Sequence, residues 1–138
     1  MIISLIDRSN YLRGLLILIR KDRKISDPEK DMMMRIGKAL DFNEEFCEKA
    51  IHEILDNEYI ADEPPVFESH ILSMMFIRDG LRLGLCDHDA LHSKEEEWLK
   101  RTARMNGLDS AWFDEQVRNA DHYQSSEVDF EAYHLAVE

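Results

Sequence analysis

The chain has 138 residues and a formal net charge of −12, from 29 acidic side chains against 17 Lys and Arg. With 33% charged and 44% apolar residues it has a globular balance, and its length suits one domain with a real core. The acidity argues against a nucleic-acid binder, which needs a basic face for phosphate, and Cys47 and Cys86 form neither a metal-type spacing nor a disulfide framework, which points to a reducing cytoplasm.

Asp7 and Arg8 interrupt the apolar start, and Arg13 and Arg20 close off residues 14–19. That run is far short of the roughly 20 residues of a membrane span, so neither insertion nor a targeting segment is expected. Residues 11–21 read as a helix apolar nearly all round, hence buried, with Leu12, Leu15, Leu16 and Ile19 at helical spacing. Ser26-x-x-Glu29 is a capping box for the next helix, with Pro28 where a missing N–H costs nothing. Met32, Ile36, Ala39 and Leu40 give that helix its buried stripe. Asn43 caps a third helix running to about Asp56, with Phe46, Cys47, Ala50, Ile51 and either Ile54 or Leu55 inward. Residues 61–65, Ala-Asp-Glu-Pro-Pro, form a linker.

Residues 66–86 read as a second long buried helix carrying Ile71, Leu72, Met74, Met75, Phe76 and Ile77, with Gly80 or Gly84 as a break point. Ser93 with Glu96 repeats the capping box, and Asn106-Gly107 ends that helix in the manner of a left-handed C-cap. Asp109 caps the next helix, with Trp112, Phe113 and Val117 inward. A polar turn over 121–127 precedes a last helix over 128–137. No segment alternates as a strand does.

Asp22-x-x-x-Ser26-x-x-Glu29 recurs as Asp89-x-x-x-Ser93-x-x-Glu96, each copy after an apolar run and before an amphipathic segment. Phe46 then matches Trp112, and Ile51 matches Val117. The expectation is one all-α domain over 1–138 with six to seven helices, internally duplicated as units 11–56 and 66–120. A pseudo-twofold arrangement would place the two buried helices at the centre.

Residues 22–29 and 92–99, with the doubled order of buried helix, aspartate-bearing turn and Ser-x-x-Glu helix start, resemble the tellurite-resistance TerB-like family over residues 10–120. The family domain also occurs in some membrane-anchored J-domain co-chaperones. The resemblance implies an all-helical duplicated fold, a link to tellurite and other stress responses, suspected metal-ion binding and no established catalysis. The family usually carries Asp-Gly at the turn, where this chain has Asp22-Arg23 and Asp89-Ala90.

A divalent cation would be held by Asp22, Glu29, Asp89, His92 and Glu96 if the two turns converge, since hard ions take several carboxylate oxygens and softer ones accept imidazole. The competing account is two ordinary capping boxes with solvated acids, and the cations at 20, 21, 23 and 24 oppose a cation there. Asp87-His88-Asp89-x-x-His92 offers i, i+4 imidazoles or an exposed polar turn. Glu131-x-x-His134 is half of a di-iron motif, and His52-Glu53-x-x-Asp56 lacks a second histidine, so both read as helix surface. No nucleophile motif is present, and Cys47 and Cys86 read as core fillers.

Residues 41–68 hold ten acids against Lys49, whereas residues 20–38 hold seven Lys and Arg. Such segregation can steer a protein partner or a homodimer, or can be a solvated face. The expectation is a cytoplasmic, non-enzymatic binding domain whose acidic turns hold a metal ion, with the stress association that the TerB-like resemblance implies. The alternative is a metal-independent protein-interaction adaptor.

Overall fold

A computed structural model describes residues 3–22, 25–57, 59, 61–87, 90–121, 124 and 126–135, with the backbone alone at Asp22. The fold is all-α. Six helices follow in order: α1 Leu5–Ile19, α2 Asp27–Ala39, α3 Glu44–Asp56, α4 His70–Leu85, α5 Ser93–Met105 and α6 Ser110–Asn119. Short 3₁₀ turns at Arg20–Asp22 and Glu131–His134 complete it, and no strand occurs among the described residues.

Capping explains most helix starts. Ser26 Oγ accepts the Glu29 N–H at 3.2 Å while Glu29 Oε1 accepts the Ser26 N–H at 3.0 Å, the reciprocal box expected. Asn43 accepts the Phe46 N–H at 2.7 Å, and Asp109 accepts the Ala111 N–H at 2.9 Å. Gly107 ends α5 with φ of +73°, a left-handed conformation that glycine adopts without strain.

Several boundaries differ from the sequence expectation. Helix α1 begins at Leu5 because Ser4 Oγ accepts the Asp7 N–H at 3.1 Å. Helix α4 begins at His70, with Ser69 as its cap. The chain before it follows Pro64 and Pro65, and its polar groups are met elsewhere: Asn106 Oδ1 accepts the Phe67 N–H at 2.8 Å, and Asn106 Nδ2 donates to Pro65 O at 2.8 Å. Asp7, itself buried, accepts the Glu68 N–H at 3.1 Å. Helix α4 runs unbroken through both glycines. A Cβ at Gly80 would lie 2.7 Å from Leu99 Cδ2, so the missing side chain lets α5 approach α4. The expected last helix over 128–137 is a single 3₁₀ turn within the described residues.

Helix α1 packs against α4, α2, α3 and α5; α5 packs also on α4, and α6 packs on α5. Tyr11, Leu15, Leu18, Leu72, Phe76 and Ile77 are fully buried there. Tyr11 and Phe76 meet edge to face with centroids 5.4 Å apart. Cys47 and Cys86 are buried and free, as core fillers are. Some residues expected inside lie outside: Ile71 is 60% exposed, and Phe46, at 45%, stacks on Phe42 at the surface. Ile54 rather than Leu55 supplies the inward position of α3.

Candidate functional site

The first acidic turn is occupied by its own capping. Both Ser26 bonds to Glu29 fall on one carboxylate oxygen, Oε1. At the second turn the expected Ser93–Glu96 box does not form. His92 is the cap, its Nδ1 accepting the Lys94 N–H at 3.2 Å, and Ser93 becomes the first helical residue. That start places Glu95 inward, 7% exposed, and leaves Glu96 in solvent. The side chain of Asp22 and all of His88 and Asp89 lie outside the described residues. No three His, Cys, Asp or Glu side chains converge among the described ones.

Near the start of α2 the chain meets the end of α4. Met32, one turn into α2 from Glu29, places its Sδ 3.8 Å from the Sγ of Cys86, the C-cap of α4. Burial, then repulsion by Asp87 and Glu29, pushes the Cys86 thiol up to about 11. The thiol is therefore neutral at ordinary pH and is not a nucleophile there.

A groove of about 970 Å³ opens between the C-terminal end of α1, the chain after α3 and the start of α5. Ile17, Leu55 and Tyr59 supply its apolar surface, with Tyr59 86% exposed. Arg20, Lys21 and Lys94 supply cations, and Asp56 and Asp62 supply anions. Lys21 is held in place by an ion pair with Asp62 and lies 5.8 Å from the centroid of the Trp98 ring. The Trp98 indole N–H donates to Asp62 O at 3.1 Å, which anchors the same wall. Among the described lining residues three cations stand against two anions, and one of each is used in the Lys21–Asp62 pair.

A second polar cluster was not anticipated. Asp79 is fully buried in α4 and accepts from Tyr11 Oη at 2.5 Å, Arg82 Nη1 at 2.9 Å, and the N–H groups of Glu131 and Ala132 at 2.8 and 3.0 Å. Glu131 in turn accepts from Arg78 at 2.7 and 2.8 Å and from Arg82 at 2.6 Å. Glu131 is thus an ion-pair centre rather than helix surface. Among the described residues His134 pairs with Asp129, at 2.7 Å, and not with Glu131, so the Glu131-x-x-His134 pair shares no site there.

Burial pushes the Asp79 carboxyl above its ordinary range, against the bonds from Tyr11, the two amides and Arg82. Burial also drives the Tyr11 phenol well above its usual value, with Asp79 adding to the shift. At Glu131 burial acts upward too, but the hydrogen bonds from Arg78 and Arg82 outweigh it and hold the carboxyl below its usual range. The sequence signal was Arg78-Asp79-x-x-Arg82, three charges inside an otherwise apolar helix.

No described helix is long and apolar enough to cross a membrane. Comparison with family models, with curated proteins and with solved structures gives no match.

Proposed function

We propose that the chain is a non-enzymatic binding domain of TerB-like type, a cytoplasmic adaptor that takes an acidic segment of a partner protein into the groove beside α1, α3 and α5. The supporting observation is the pair of cations, Arg20 and Lys94, that the groove's described lining presents beside exposed Leu55 and Tyr59. The paired and stacked Lys21 gives this wall a fixed geometry before any partner arrives. Charge complementarity of this kind raises association rate and selects partners. The stress association implied by the TerB-like resemblance belongs to the same proposal.

The test is capture of partners from native lysate at low and high salt, by wild type and by an Arg20→Glu/Lys94→Glu chain. A partner held by wild type at low salt, released at high salt and lost in the variant supports the groove. Identical capture by both chains refutes it.

A second reading adds a divalent cation held by Asp22, Glu29, Asp89, His92 and Glu96. It is favoured by the contact of Met32 with Cys86, which brings α2, one turn beyond Glu29, against the end of α4. Calorimetric titration with Ca²⁺, Mg²⁺, Mn²⁺ and Zn²⁺ tests it. Micromolar binding abolished by Asp22→Ala/Asp89→Ala supports it, and binding unchanged in that variant ends it.

A further inference from the structure

Residues 128–135 follow a polar passage in which Asp121, Gln124, Ser126 and Glu127 are exposed. The segment holds no regular structure beyond its one 3₁₀ turn. Its backbone bonds are local, Tyr133 N–H to Phe130 O at 3.1 Å and Leu135 N–H to Ala132 O at 3.3 Å. The hydrogen bonds that tie it to the helices, among the described residues, all use side chains of α4. Asp79 takes the N–H groups of Glu131 and Ala132, and Arg78 and Arg82 take the Glu131 carboxylate.

The apolar half of the contact is equally selective. Phe130 and Ala132 are fully buried and Val128 is 5% exposed. The Arg35 guanidinium of α2 lies 4.2 Å from the centroid of the Tyr133 ring. An aromatic anchor in a closed pocket, a carboxylate in an arginine fork and a pair of main-chain N–H groups on a fixed acceptor are the means by which a receptor holds a peptide.

We propose that the face formed by α2 and α4 around Asp79 is a peptide-recognition site, and that residues 128–135 are a displaceable strap filling it in cis. The occupant that competes with the strap is an extended segment of a partner protein with an aromatic side chain, then a carboxylate, then a small residue. Asp79 requires main-chain N–H groups at this place, and Arg78 with Arg82 requires an anion beside them. The fixed polar pattern therefore sets the order of the incoming residues. The site shares no residue with the groove.

The test uses the full chain. Hydrogen exchange in wild type reads the opening of the strap, and a labelled peptide with the sequence of residues 126–135 reads the vacated site. The amides of Glu131 and Ala132 are expected to exchange at least about tenfold faster than those of α4, through a local opening. The peptide is expected to bind a Glu131→Arg chain at least about tenfold more tightly than wild type, and to lose that gain when Arg78→Ala is added. A folded Glu131→Arg chain that binds the peptide no better than wild type overturns the proposal. So does a Glu131→Arg chain that loses its helical circular dichroism. Wild-type amides at 131 and 132 that exchange only through global unfolding do the same, since each of these last two results makes the segment part of the core.

Discussion

Replacing Asp79 with alanine should be the most damaging single change in the polar interior. The carboxylate is fully buried and serves four donors. Arg82 keeps a second acceptor in Glu131, but the Tyr11 hydroxyl and the N–H groups of Glu131 and Ala132 lose the acceptor they have here. A buried donor stranded in this way costs about 1–3 kcal/mol. Three such donors sum to about 3–9 kcal/mol; the variant recovers the desolvation cost of a buried carboxylate and leaves Arg82 paired with Glu131, so the expected net loss lies toward the low end, about 3–5 kcal/mol. A typical domain has only about 5–15 kcal/mol in total. For a chain of this size the loss corresponds to a fall in Tm on the order of 12 °C. Urea unfolding followed by circular dichroism measures it, with the slope expected to be unchanged. Asp79→Leu provides the sharper comparison. Apolar replacement relieves many buried ion clusters, but two of the donors here are backbone amides that no substitution removes. Asp79→Leu should therefore remain destabilised by at least about 2 kcal/mol. A loss below about 1 kcal/mol in both variants would show that Asp79 does not satisfy these donors in solution.

Three further outcomes follow from the same geometry. A Cβ at Gly37 would lie 2.3 Å from Cys47 Sγ, so Gly37→Ala should cost about 1–3 kcal/mol by overpacking α2 against α3. The Gly37→Ala/Cys47→Ala pair should then lose clearly less than the sum of the single variants, and strict additivity would count against the contact. Ser26→Ala should cost about 1 kcal/mol, whereas Ser93→Ala should stay within about 0.5 kcal/mol, because only Ser26 occupies a cap; equal losses in urea unfolding would contradict the assigned helix starts. Glu131 has a folded pKa below 4.5, so its contribution is present above the unfolded value and is lost as pH falls through the folded one. Asp79 has the opposite sign: its folded value is above 3.8, so its contribution is present below that value and is lost as pH rises through the folded one. Glu131→Gln should therefore flatten the loss of stability on acidification below about pH 4.5, read from urea midpoints across the acid range. An unchanged acid limb would remove Glu131 from the linkage.

The legible parts of this fold are those whose partners lie a few residues away. The Ser26–Glu29 box, the Asn43 and Asp109 caps and the Gly107 stop each depend on a spacing visible in the sequence. The buried character of α1 and α4 was equally plain, because neither presents a broad polar face. What was not legible joins distant positions. Asp79 bonds to Tyr11 across 68 residues and to Glu131 across 52. Asn106 bonds to Phe67 from 39 residues away and to Pro65 from 41, and so allows an extended chain where helical periodicity suggested four more residues of α4. The last segment failed for a related reason. Its apolar spacing suits a helix, but Phe130 and Ala132 gain more from full burial in the core, where residues 131–134 meet α2 and α4, than a short isolated helix would gain from its own hydrogen bonds. The groove was invisible because Arg20, Asp62 and Lys94 come from three separate parts of the chain.

The two acidic turns are alike in sequence but not in the chemistry that starts their helices. Ser26 forms a reciprocal box with Glu29, whereas the equivalent Ser93 lies inside α5 and the cap passes to His92. Glu95 turns inward and Glu96, the apparent counterpart of Glu29, faces solvent. Capping therefore explains the Ser-x-x-Glu pattern at one turn only. If capping were the sole demand on both turns, a change of cap would leave no reason for the aspartate four residues before each serine to recur. The recurring aspartates remain the feature that an ion would exploit. A cation site here would accordingly depend on Asp22 and Asp89 far more than on Glu29, whose bonds to Ser26 already use one of its oxygens. Glu29→Gln should weaken any measured metal affinity several-fold less than Asp22→Ala/Asp89→Ala, and the reverse order would return the whole motif to capping.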